Sequence, residues 1–74
     1  MMRNVRYLIS DEYEAEEIAE ALRLQLDINR YNNVQITAVD RRNELIVQVP
    51  EANDGLEEAL GSFMAGYQHG VILE

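Results

Sequence analysis

The sequence predicts a small two-layer α+β domain, an antiparallel β-sheet with two helices packed on one face. Three observations predict it. Apolar residues alternate with polar ones in three short segments, they recur every three to four residues in two longer ones, and the order is strand, helix, strand, strand, helix. Seventy-four residues are enough for one domain, 1–74, and the absence of cysteine leaves packing to hold it.

Val5, Tyr7 and Ile9 alternate with Asn4, Arg6 and Leu8, the period of a half-buried first strand. Ser10 or Asp11 is the expected N-cap of the first helix, with Glu14 completing a capping box on Asp11. Ala15, Ile18, Ala19, Leu22 and Leu26 form its apolar stripe, and Asn29, Asn32 and Asn33 supply turn chemistry, so the helix is expected over about 11 to 30. Val34, Ile36 and Ala38, the polar turn Asp40-Arg41-Arg42-Asn43, and Leu45, Val47 and Val49 read as a β-hairpin.

Pro50, the sole proline, stands where a strand hands over to a helix. Asn53 or Asp54 is the expected cap of the second helix, Asp54 pairing with Glu57. Leu56, Ala59, Leu60, Phe63 and Tyr67 give its stripe, and Gly70 is placed as the residue that ends it. Val71, Ile72 and Leu73 form a short β-prone run suited to a fourth, edge strand. The order βαββα(β) is the ferredoxin-like arrangement, and both helical stripes would bury against the first three strands.

Catalytic chemistry is hard to assemble from these residues. His69, the single histidine, is expected in the last turn of the second helix, where its charge suits the helix dipole. Ser10 and Ser62 lie in no nucleophile motif, and Glu12, Glu14, Glu16, Glu17 and Glu20 fall on polar helix surface where carboxylates stay ionised. Asn53-Asp54-Gly55 is too short for a calcium loop, and Gly61, Gly66 and Gly70 do not lie between a strand and a helix start as a phosphate loop requires. The expectation is no enzyme, no cofactor and no metal. Ser62, Ala65 and Gly66 would form a flat strip of small residues, to be covered by the first helix or by a partner helix.

Fourteen acids against six bases give a net charge of −8, which repels nucleic-acid phosphates and anionic membranes and attracts basic surfaces. Direct nucleic-acid binding is not expected. All six bases are arginine, a balance that a GC-rich genome or a high-salt cytoplasm would also produce. No apolar run approaches the roughly 18 residues of a membrane span, and the first ten residues lack a signal-peptide core, so a cytoplasmic location is expected.

At 100° per residue, Tyr13, Ala21, Leu24, Ile28 and Tyr31 fall on the side of the first helix opposite its core stripe, with Glu12, Glu16, Glu17, Glu20 and Asp27 among or beside them. An apolar patch rimmed by charge is interface anatomy; the competing arrangement tucks Leu24 and Ile28 under the following loop with Tyr31 as a cover. In size, acidity and lack of catalytic residues the chain is similar in general character to the small acidic anti-CRISPR and anti-restriction proteins of phages. That similarity implies a stoichiometric inhibitor whose carboxylate-rich helix occupies a basic, nucleic-acid-binding surface. The expected protein-binding residues are Glu12, Tyr13, Glu14, Glu16, Glu17, Glu20, Leu24 and Ile28. The alternative is a homodimeric regulatory or ligand-sensing domain that pairs through this helix or through the edge beside residues 71–73.

Overall fold

The computed structural model of the chain describes residues 2–31, 33–50 and 54–73. Four strands and two helices follow in the order β1 (Met2–Ile9), α1 (Ala15–Ile28), β2 (Gln35–Val39), β3 (Glu44–Pro50), α2 (Asp54–Met64) and β4 (Gln68–Leu73). All neighbouring strands are antiparallel, and they form one open sheet in the order β2-β3-β1-β4. The short run 68–73 therefore does form an edge strand, paired along β1 from Val5↔Leu73 to Ile9↔Gln68.

The expected helical and strand stripes meet in one core. Val5, Tyr7 and Ile9 of β1 and Leu45, Val47 and Val49 of β3 are buried with Ala15, Ile18, Ala19, Leu22 and Leu26 of α1 and with Leu56, Leu60 and Met64 of α2. Val34, Ile36, Ala38, Phe63 and Tyr67 pack half-buried against this cluster. The period of two along each strand sends the intervening residues to the other face, where register aligns Thr37, Ile46, Arg6 and Ile72 in one row across the sheet. On that face Arg6 donates to Glu44 at 3.1 Å.

Helix α1 starts three residues later than a cap at Asp11 requires. Ser10 to Tyr13 form a turn instead, with Tyr13 N donating to Ser10 O at 2.9 Å. Glu14 is the N-cap and makes no side-chain capping bond. The first helical amide is satisfied from elsewhere in the chain: Ala15 N donates to Asn43 Oδ1 at 2.8 Å. Asn43 closes the β2–β3 turn with φ 49° and ψ 51°, a left-handed conformation that asparagine tolerates better than most residues. Its Nδ2 donates to Tyr13 O at 2.9 Å and, at longer range, to Ile9 O and Ser10 O, while its own carbonyl accepts from Ile9 N at 2.9 Å.

The far end of α1 is a Schellman closure. Tyr31 N donates to Leu26 O at 2.9 Å and Arg30 N to Asp27 O at 3.0 Å, with Arg30 at φ 63° in the position where glycine is commonest. Helix α2 ends at Met64, so Tyr67 lies in a turn and both His69 and Gly70 belong to β4, not to a helix terminus. Within that strand a Cβ on Gly70 would stand 3.1 Å from Leu8 Cδ1, the side chain that lies across it from β1, so a larger residue there requires Leu8 to shift by a few tenths of an ångström. The capping roles expected of Asn53 and the Asp54 side chain, and the turn role of Asn32, lie outside the described residues.

Three substitutions at two positions test these local arrangements. Asn43→Ala removes the cap, the loop bonds and the left-handed tolerance together, and is expected to cost about 3 kcal/mol in denaturant unfolding. Asn43→Gly keeps the backbone freedom and is expected to cost about 1 kcal/mol less than the alanine variant. Arg30→Gly relieves the left-handed backbone and is expected to stabilise by about 0.5–1 kcal/mol, read as a rise in the unfolding midpoint.

Candidate functional site

The outward side of α1 carries the expected binding residues, but as a smaller patch than the helical wheel drew. Leu24 and Ile28, one turn apart, are 63% and 66% exposed, so the loop after the helix does not cover them. Glu16, Glu17, Glu20 and Ala21 are exposed on the same helix, with Asp27 beside the apolar pair. Tyr31 does not shield Leu24 and Ile28; it turns the other way and packs half-buried against the core.

Tyr13 leaves the patch. It lies in the turn before α1, half-buried against the core, with its ring edge-on to Tyr67 at a centroid distance of 5.0 Å. Tyr67 in turn stacks obliquely on Phe63 at 5.4 Å, and its carbonyl accepts from Ser10 N at 2.9 Å. These aromatic contacts tie the β1–α1 turn to the α2–β4 turn. Glu12 and Glu14 stay exposed, Glu12 in the turn and Glu14 at the helix cap, so they extend the acidic surface past the N-terminus of α1.

Among the described residues none of these carboxylates is in an ion pair with an arginine. The ion pairs there join Arg3 to Glu57 and Arg6 to Glu44. Arg23, the arginine within α1, instead donates from Nη2 to Ile36 O of β2 at 2.8 Å. Glu16 and Glu17 suit the positive end of the helix dipole, so the helix tolerates acids at its start better than elsewhere. The result is a rigid surface with carboxylates at one end and two uncovered aliphatic side chains at the other.

A second candidate is a cleft of about 220 Å³ between α2 and the β1–β4 pair, lined by Val5, Tyr7, Leu60, Gly61, Gln68, Val71 and Leu73 and flanked by the Arg3–Glu57 ion pair. Burial pushes the Tyr7 phenol above its ordinary value of 10.0, and the nearby Glu57 carboxylate pushes it the same way. Both effects favour the neutral phenol, so Tyr7 is poorly suited to act as a base. Sequence periodicity identified Tyr7, Leu60, Val71 and Leu73 one by one as strand or helix residues; only the pairing of β4 with β1 brings them around one cleft. Around Gly61 and Gly66 there is nothing within 4 Å of a Cβ position, so neither glycine serves close packing of α1 against α2.

Among the described residues no group of three or more His, Asp or Glu side chains is placed to hold a metal ion. No helix there is long and apolar enough to cross a membrane. Compared with known proteins, the chain matches no protein-family model, no curated protein and no solved structure.

The raised Tyr7 pKa has a signed consequence. A phenol whose folded pKa exceeds its unfolded one stabilises the native state below pH 10, and that contribution is lost as pH rises through the higher folded value. Wild type is therefore expected to lose stability above pH 10 more steeply than Tyr7→Phe, measured as the difference in denaturant midpoints across alkaline pH.

Proposed function

We propose that the chain is a non-enzymatic protein-binding module on a ferredoxin-like fold, and that it docks a basic partner through the outward face of α1. The strand order β2-β3-β1-β4 with antiparallel neighbours supports the ferredoxin-like reading. The observation that carries the binding reading is the pair Leu24 and Ile28, left 63% and 66% exposed on a helix whose carboxylates have no arginine partner among the described residues. Large apolar side chains of this kind gain free energy when a partner covers them, and the acids orient a positively charged partner before contact.

In its sharpest form the module is a stoichiometric inhibitor. A row of carboxylates on a rigid helix offers a basic groove some of the charge pattern of a nucleic-acid strand, and a groove so occupied is blocked without any bond being made or broken. Glu12, Glu14, Glu16, Glu17 and Glu20 supply the charge in this reading, and Leu24 and Ile28 the apolar anchor. Tyr13, held against Tyr67, acts only by fixing the turn that precedes the helix.

The test is capture of a partner from lysate by the wild type and by a variant with all five glutamates changed to Gln. The variant is expected to stay folded, because relief of like-charge repulsion within the helix offsets the lost dipole contacts to within about 1 kcal/mol. A partner held by the wild type, released as salt rises and bound at least roughly tenfold more weakly by the variant supports the reading. A partner that binds both equally, or with no dependence on salt, rules out the electrostatic mode. Leu24→Gln with Ile28→Gln is expected to weaken the same complex while changing stability by no more than about 0.5 kcal/mol.

A further inference from the structure

We infer that the cleft between α2 and the β1–β4 pair is a binding site for a small uncharged molecule, a single ring that carries one carbonyl group for the Tyr7 hydroxyl. The inference concerns a different surface from α1 and does not rest on the partner proposed above.

The cleft follows from strand register and helix spacing. Val5 pairs with Leu73 and Tyr7 with Val71, so all four side chains share the face of the sheet that looks toward α2. Leu60 and Gly61 of α2 form the opposite wall, and Glu57 lies one turn before them. Leu60 is buried, but nothing stands within 4 Å of where a Cβ on Gly61 would be. Glycine inside a helix is less stable than alanine, so position 61 gives up helix stability without close packing in return. What it leaves is open space beside Val71 and Leu73, which stay exposed.

Tyr7 supplies a second, independent observation. It is 5% exposed, yet its hydroxyl makes no hydrogen bond with the chain, whereas a buried tyrosine hydroxyl usually has a partner. Tyr7 lines the cleft, and the effect of the Glu57 carboxylate on its phenol sets the hydroxyl toward the Arg3–Glu57 end. A ligand carbonyl at that end satisfies it.

Charge and size choose the ligand. Arg3 and Glu57 are the charged groups of the lining and are paired with each other, so an ion of either sign meets no unpaired counter-charge there. Burial and Glu57 both keep Tyr7 a neutral phenol, which donates to a carbonyl. A cavity of about 150 Å³ accepts benzene, and drug-sized pockets begin at about 300 Å³. The cleft, at about 220 Å³, therefore suits one ring with a short substituent and is too small for a helix, which is about 10 Å across. A strand added to β4 would extend the sheet sideways and leave this space beside α2 unfilled.

The experiment follows the backbone amides by NMR as acetophenone is added to about 10 mM, with toluene, which lacks the carbonyl, and benzoate, which replaces it with a charge, as matched probes. The chains are the wild type, Tyr7→Phe and Gly61→Leu. The wild type is expected to bind acetophenone with a Kd of about 1 mM or tighter, with shifts centred on residues 57–61 and 68–73. Tyr7→Phe is expected to raise that Kd about fivefold and to leave toluene binding unchanged, because only acetophenone loses a hydrogen bond. Benzoate is expected to bind at least roughly tenfold more weakly than acetophenone. Gly61→Leu is expected to abolish binding with an unfolding midpoint at or above that of the wild type, because leucine is the better helix former and its Cβ meets open space. A wild type without shifts at 10 mM, shifts centred elsewhere, equal acetophenone binding by Tyr7→Phe, or benzoate bound as tightly as acetophenone overturns the inference. If Gly61→Leu does not fold, the Tyr7→Phe comparison between acetophenone and toluene decides alone.

Discussion

The side chain of Asn43 is the constraint on which the rest of the arrangement depends. Its oxygen accepts from the first amide of α1 and its nitrogen donates to carbonyls of the segment between β1 and α1, so one residue of the β2–β3 turn fixes where the chain leaves the sheet and where the helix begins. Only a short side chain with both an acceptor and a donor can do this. Aspartate has no donor when ionised, and glutamine is a methylene longer. The left-handed backbone at Asn43 aims the side chain at that segment, and the bond from Ile9 N to its carbonyl holds the turn in place. With the start of α1 set, its stripe from Ala15 to Leu26 settles on the sheet and Leu24 and Ile28 are carried to the outside.

The parts of this fold that were legible in the sequence are those whose cause is local. The five-residue stripe of α1 and the alternation in β1 and β3 are periodicities, and each of those residues is buried. The start of α1 was not legible, because its cap comes from a residue 28 positions away and the local pattern at Asp11 and Glu14 offers a plausible capping box that the chain does not use. Tyr13 was misplaced for the same reason: on a wheel begun four residues early it joins Leu24 and Ile28, whereas the turn directs it to Tyr67. In α2 the apolar periodicity of the sequence runs on to Tyr67, whereas the helix ends at Met64, a buried residue outside that stripe, and His69 and Gly70 fall in β4. Gly70 reads as a stop signal by residue type, yet it lies within β4 with the Leu8 side chain across it.

The charges are divided by what the arginines are used for. Arg3 and Arg6 tie the first strand to Glu57 of α2 and Glu44 of β3, Arg23 holds α1 to β2, and Arg30 closes the helix end. Arg41 and Arg42 sit in the exposed turn that leads to Asn43. Of these, Arg3 and Arg6 pair with carboxylates outside α1, Arg23 keeps its charge while bonded to a carbonyl, and Arg30 acts through its backbone, so Glu12, Glu14, Glu16 and Glu17 around the start of α1 have no ion pair among the described residues.

This division also explains why the two sheet edges differ. Arg23 performs two tasks at once, anchoring α1 and occupying a carbonyl of β2, and both follow from α1 lying over β2. Helix α2 carries no arginine; its residues near β4 are Leu60 and Gly61, and its ion pair among the described residues, Glu57 to Arg3, reaches β1. The strand left at that edge is short and uncharged, with Val71 and Leu73 on the helix side and Ile72 on the other, so apolar surface remains on both sides of it. An isolated chain must leave that surface in water.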